Sequence, residues 1–134
     1  VCAKVAEVMS QEEKWLAFAC HVGGAIGAVL LPNLGFLVPL ILWLAKRQQS
    51  AYVDRHGKEA LNFQLNMLIL ALLLYLVISL LRGSMFRPAH VLEWPSLPWF
   101  SVLLLINILL SVLAGIEAYQ GRDYRYPFIF RIVR

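Results

Sequence analysis

The stretch Tyr52–Asn66, YVDRHGKEALNFQLN, gathers the residues of this chain best equipped for chemistry. Asp54, Arg55, His56, Lys58 and Glu59 fall within six residues, and Asn62, Gln64 and Asn66 follow. Carboxylates beside a histidine can hold a metal ion or exchange a proton. The spacing of Asp54, His56 and Glu59 is not H-E-x-x-H, however, and the stretch has no cysteine. Asp54 and Glu59 could form an acid–base pair, but nothing identifies a substrate. The chain has no G-x-S-x-G, P-loop or G-x-G-x-x-G motif. The residues therefore point to a non-enzymatic protein, with no catalytic, cofactor or metal site expected.

Helical geometry divides the stretch. At about 100° per residue, Arg55, Glu59, Asn62 and Asn66 fall within about 60° of one another. This stripe continues as Leu70, Leu73 and Val77, so its polarity is confined to one end, while Gln64 points elsewhere. Plainer roles are available. Asp54 can cap a helix start, Arg55 and Glu59 can pair one turn apart, and the amides can bind helix to helix. His21 and Asn107 lie on other apolar stretches and offer complementary faces. Ala17, Cys20, His21, Gly24 and Ala28 share one side, and Asn107, Ser111, Ala114 and Ala118 share another. By the rise per residue, His21 should lie near Asn62 or Asn66 in the interior, most simply as a packing histidine.

The elements that carry these residues are apolar. The 134-residue chain is 60% hydrophobic and 15% charged, against about 45–50% and about 25% in a soluble domain. Residues 60–81 hold no formal charge, and 99–118 hold only Glu117; about 20 apolar residues of helix cross a bilayer. Two shorter apolar stretches, 15–31 and 34–45, flank the turn formers Pro32, Asn33 and Gly35. As one helix they would reach roughly 46 Å, beyond a hydrocarbon core of ~30 Å. The reading is a single all-α integral membrane domain over 1–134 with four transmembrane helices, the first two a short hairpin. The second can be tilted, re-entrant or partly inserted. Cys2 and Cys20 form no disulfide framework, and residues 1–8 read as an extension ahead of Met9.

Basic residues orient the domain. Lys4, Lys14, Lys46, Arg47, Arg55, Lys58, Arg122, Arg125, Arg131 and Arg134 fall on one side, and Arg82 and Arg87 on the other. Positive residues stay inside, so both termini are expected in the cytoplasm, with an outer loop at 82–98. This describes a multi-pass protein of the bacterial cytoplasmic (inner) membrane. The tail at 121–134, with Arg122, Arg125, Tyr126, Arg131 and Arg134, reads as an interfacial strand or short helix on anionic lipid rather than on nucleic acid.

Three blocks in order, EEKWLAFACHVGGAIGAVL, VDRHGKEALNFQLN and IEAYQGRDYRYPFIFRIV, resemble the Tic-twenty-like bacterial membrane proteins of unknown function. These are named for a four-span component of the chloroplast inner-envelope import machinery. The resemblance covers nearly all of residues 11–134 and rests most on HGKEALNFQ and YRYP. It implies four helices, cytoplasmic termini and a possible link to protein translocation. The functions in view are then an accessory or structural subunit of a membrane complex, partnered by another membrane protein or by its own copies, or an oligomeric transporter or channel. A membrane enzyme is the third.

Overall fold

The computed structural model describes residues 9–82 and 98–134. Expectations for residues 1–8 and for the body of the 82–98 loop lie outside the described residues. Among the described residues the fold is all-helical, with four helices and no strand: α1 (Gln11–Leu30), α2 (Leu37–Lys46), α3 (Ala51–Leu81) and α4 (Pro98–Tyr119).

Caps set where the helices begin. Ser10 and Glu13 form a reciprocal capping box, with the Ser10 amide donating to Glu13 Oε2 at 2.7 Å and the Glu13 amide to Ser10 Oγ at 3.2 Å. Two orphan amides are thereby satisfied, and α1 starts ahead of the apolar run that begins at Trp15. The cap of α3 is Ser50, whose hydroxyl accepts from the Tyr52 and Val53 amides. This corrects the assignment of the cap to Asp54. That residue lies inside the helix, where it accepts from Trp43 Nε1 at 2.8 Å and pairs with Lys58 at 2.7 Å. The entry residues and the apolar run are therefore one rod of 31 residues, roughly 46 Å long. Hydropathy marks where polarity ends, whereas the helix continues through it.

Two of the four helices, α3 and α4, are long and apolar enough to cross a membrane. With 10 residues, α2 is about 15 Å long, half of a hydrocarbon core. A straight helix of that length does not cross, so the tilted, re-entrant and partly inserted readings of 34–45 stay open. Asn33 enters the left-handed region at φ 73° in the connection between α1 and α2, a conformation asparagine tolerates well.

The first helix packs against all three others, most extensively against α4. Ala17, Cys20 and Gly24 of α1 and Ala114, Gly115 and Ala118 of α4 are buried. Small side chains let the two backbones approach closely. Between α3 and α4, Gln64 and Asn107 exchange two amide hydrogen bonds at 3.1 and 3.0 Å. Ser111 Oγ donates to Asn107 Oδ1 at 3.4 Å. Tyr52 donates to the Ala118 carbonyl at 2.5 Å, tying the start of α3 to the end of α4.

After α4, Gly121 takes φ 81°, which glycine adopts without steric cost, and the chain turns back along α3. The segment from Arg122 to Arg134 contains neither helix nor strand. Its extended course replaces the expected interfacial strand or short helix, because its backbone partners are α3 side chains.

Gly57 is where Trp43 of α2 crosses α3. A methyl group there would lie 2.7 Å from Trp43 Cδ1 and 2.9 Å from its Cβ. Alanine would gain about 1 kcal/mol of helix propensity, but overpacking costs about 1–3 kcal/mol. Gly57→Val adds a branched side chain and should lower the thermal midpoint in detergent micelles, by about 4 °C per kcal/mol lost. An unchanged or raised midpoint would show that Trp43 yields.

Candidate functional site

The polar stripe on α3 is a docking strip for the C-terminal tail. Glu59 Oε1 accepts from the Tyr126 amide at 2.9 Å, and the same carboxylate takes two bonds from the Arg131 guanidinium at 2.9 and 3.2 Å. Asn62 accepts from the Val133 amide at 2.7 Å and donates to its carbonyl at 2.8 Å. Asn66 does the same for Phe130, at 2.9 and 2.7 Å. Each asparagine amide thus reads a peptide unit with one donor and one acceptor, as a neighbouring strand would. Helical spacing supplies the ladder and the extended tail supplies the rungs.

Tyr126 is the tail's anchor. It is 2% exposed, and its ring stacks on Phe63 with centroids 4.0 Å apart and planes 4° off parallel. Its hydroxyl lies 2.9 Å from His21 Nδ1, and His21 Nε2 lies 3.0 Å from His56 Nδ1. Burial holds the Tyr126 phenol well above the ordinary tyrosine range, so the hydroxyl keeps its proton and can donate. Tyr126, His21 and His56 form a buried chain of side-chain hydrogen bonds linking tail, α1 and α3. Its last atom, His56 Nε2, is buried without a hydrogen-bond partner and lies 3.8 Å from Asp123 Oδ1.

A cleft of about 210 Å³ lies beside His56 and Asp123. It lies between the first turns of α3 and the tail, and is lined by Arg55, His56, Lys58, Glu59 and Asn62 on one wall and by Asp123, Tyr124, Arg125, Arg131 and Arg134 on the other. The side chains singled out from sequence are therefore brought together only in part. His56, Arg55, Lys58, Glu59, Asn62, Arg125, Arg131 and Arg134 meet at this cleft. Asp54 belongs to the contact with Trp43, Asn66 to the far end of the docked tail, and Asn107 to the Gln64 pair.

Several partners differ from those expected. His21 is 1% exposed, but its hydrogen bonds go to Tyr126 and His56 rather than to Asn62 or Asn66. Arg55 pairs with Asp123 at 3.3 Å and Glu59 with Arg131, so the two do not form the i, i+4 pair. Tyr126 is buried against α3 and α1, and Arg131, still partly exposed, pairs with Glu59. Arg122 pairs with Glu117 at the end of α4. Asp123, opposite His56, escaped the sequence reading; only its place just after Gly121 could have suggested it.

Among the described residues no group of three or more His, Cys, Asp or Glu side chains is placed to hold a metal ion. A model of the magnetosome magnetite crystal formation protein family (MamF/MmsF) matches residues 12–133, and the chain belongs to that family. This overturns the Tic-twenty-like resemblance, and the link to protein translocation falls with it. Many of the residues that carried the resemblance, His21, His56, Glu59, Asn62 and Tyr126 among them, dock the tail or fix the bundle, so they speak of packing. No match was found among curated proteins or among solved structures.

The docking strip has a measurable consequence. Charge-assisted bonds such as those of Glu59 contribute about 1.5–3 kcal/mol, with the partly exposed Arg131 toward the lower end. Glu59→Ala should speed amide exchange across residues 126–134 by roughly tenfold, the equivalent of ~1.4 kcal/mol. Asn66→Ala should act mainly at Phe130, and Asn62→Ala at Val133. Exchange rates equal to the parent protein's would mean that α3 side chains do not hold the tail.

Proposed function

We propose that this protein is a multi-pass component of the magnetosome membrane that contributes to magnetite crystal formation without catalysing a reaction itself. The observation that carries the reading is the family match over residues 12–133. The membrane part is supported by apolar side chains facing outward. Leu73 and Leu80 of α3 and Val102, Leu105 and Leu109 of α4 are each more than half exposed. At 22 residues, α4 is about 33 Å long, matched to a core of ~30 Å.

The first two helices enter as a hairpin from one face and return to it. Leu30, Leu31 and Leu34 at its tip are exposed, as suits a tip lying in lipid, and the short α2 brings Lys46 and Arg47 back to the entry side. The N-terminus, the 46–59 segment and the tail then share the cytoplasmic side, where most of the lysine and arginine lies. Anionic lipid and a second membrane protein, or further copies of the chain, are the partners this surface suits. The non-enzymatic reading is supported by the commitments of the polar cluster: Asp54 is held by Trp43 and Lys58, and Glu59 by the tail. A channel lined by Asn62, Asn66 and Asn107 loses its motive, since each amide is spent on protein.

Deleting the gene in a magnetite-forming bacterium should change the size or shape of the crystals seen by electron microscopy, and a tagged copy should fractionate with magnetosome membranes. An unaltered crystal size distribution, or a tagged protein in the soluble fraction, would sink the proposal.

A further inference from the structure

The cleft at the end of the Tyr126–His21–His56 chain is unbalanced in charge. Lys58 is already matched by Asp54 and Arg131 by Glu59. Arg55 shares Asp123 at 3.3 Å, with both side chains more than half exposed. Among the described residues, Arg125 and Arg134 have no acidic partner, and both line the cleft. Unpaired guanidinium groups offer planar forks of donors that match oxyanions.

The second observation is the orphan nitrogen. His56 is 2% exposed and lines the cleft, and its buried Nε2, 3.8 Å from the Asp123 carboxylate on the opposite wall, has no hydrogen-bond partner. A buried polar atom left unsatisfied costs about 1–3 kcal/mol. The hydrogen-bond chain behind it decides whether it is a donor. The distances allow two tautomer sets; in one, the Tyr126 hydroxyl donates to His21 Nδ1, His21 Nε2–H donates to His56 Nδ1, and His56 Nε2 carries a proton toward Asp123 and the cleft. The opposite arrangement would aim a lone pair at the Asp123 carboxylate, 3.8 Å away, which is repulsive. The buried chain thus presents an N–H donor beside two free guanidinium groups.

We propose that this cleft binds a phosphate-class oxyanion, held by His56 Nε2–H, Arg125 and Arg134. A bare metal ion is disfavoured there, since the arginines repel it and the Glu59 carboxylate is already held by Arg131 and the Tyr126 amide. The same chemistry is offered by inorganic phosphate and by the headgroup of an acidic phospholipid. Binding of the free ion does not depend on the magnetosome reading. Capture of a lipid depends on the placement of this end of α3 at a membrane face.

The test uses the full chain. In detergent micelles at low ionic strength it is titrated calorimetrically with inorganic phosphate. In parallel it is placed in nanodiscs of phosphatidylcholine alone, or of phosphatidylcholine with phosphatidic acid, and retained lipid is read by native mass spectrometry after release. Arg125→Gln/Arg134→Gln alters only exposed side chains and should weaken the bound species by roughly tenfold or more; His56→Phe should do the same if it folds. Phosphate binding without lipid retention assigns the free ion, and retention of phosphatidic acid without phosphate binding assigns the headgroup. Binding of neither, equal binding by the double arginine variant, or ferrous ion binding at the cleft in place of phosphate would overturn the proposal.

Discussion

The structure depends on Glu59. One carboxylate, 8% exposed, receives both the Tyr126 amide and the Arg131 guanidinium, fixing the tail at two points. A buried carboxylate is costly unless it is paired and hydrogen-bonded, and here the tail supplies both. Tyr126 can then reach between α1 and α3, stack on Phe63 and meet His21. Without that plug, His21 would be a buried imidazole with one nitrogen unsatisfied, on a helix face otherwise made of small residues. The polar end of the bundle is thus a single unit in which tail, α1 and α3 satisfy one another.

The apolar end follows a different logic. Beyond Asn66, α3 presents leucines outward, and α4 does so along most of its length. The Gln64–Asn107 pair joins α3 to α4 near the start of this region. In lipid such bonds contribute only about 0.6 kcal/mol on average. Side chains seated on the glycines, Gln64 on Gly24 and Phe18 and Val22 on Gly115, and the polar lock at the far end together carry the arrangement. A long rod such as α3 can serve both regimes because its helix runs unbroken from Ser50 through the change from polar to apolar.

Much of this was legible in the residues. The stripe of Glu59, Asn62 and Asn66 follows from 3.6 residues per turn, the small faces of α1 and α4 from composition, and the separate direction of Gln64 from the same wheel. What the stripe touches was not legible. Periodicity reports which side chains share a face but not what lies opposite. Here the partner is an irregular segment 60 or more residues away, with no period of its own. Arginine among aromatics is the usual composition of a membrane surface, and composition alone does not show that Tyr126 lies opposite His21 or that Arg131 pairs with Glu59.

The way charges are sorted at the polar end carries a final implication. Around the cleft and the end of α4, carboxylates face cations: Asp54 faces Lys58, Glu59 faces Arg131, Glu117 faces Arg122 and Asp123 faces Arg55. These four acids are matched, and among the described residues Arg125 and Arg134 at the cleft are left over. Surface ion pairs of this kind contribute little to stability, so the surplus is better understood through what it attracts than through what it holds together. A positive surface beside an apolar one favours an acidic membrane face and raises the local concentration of anions. On such a surface the buried donor of His56 sets one point apart from the rest: its direction is fixed from within, by a tyrosine in the core, while the arginines around it remain exposed.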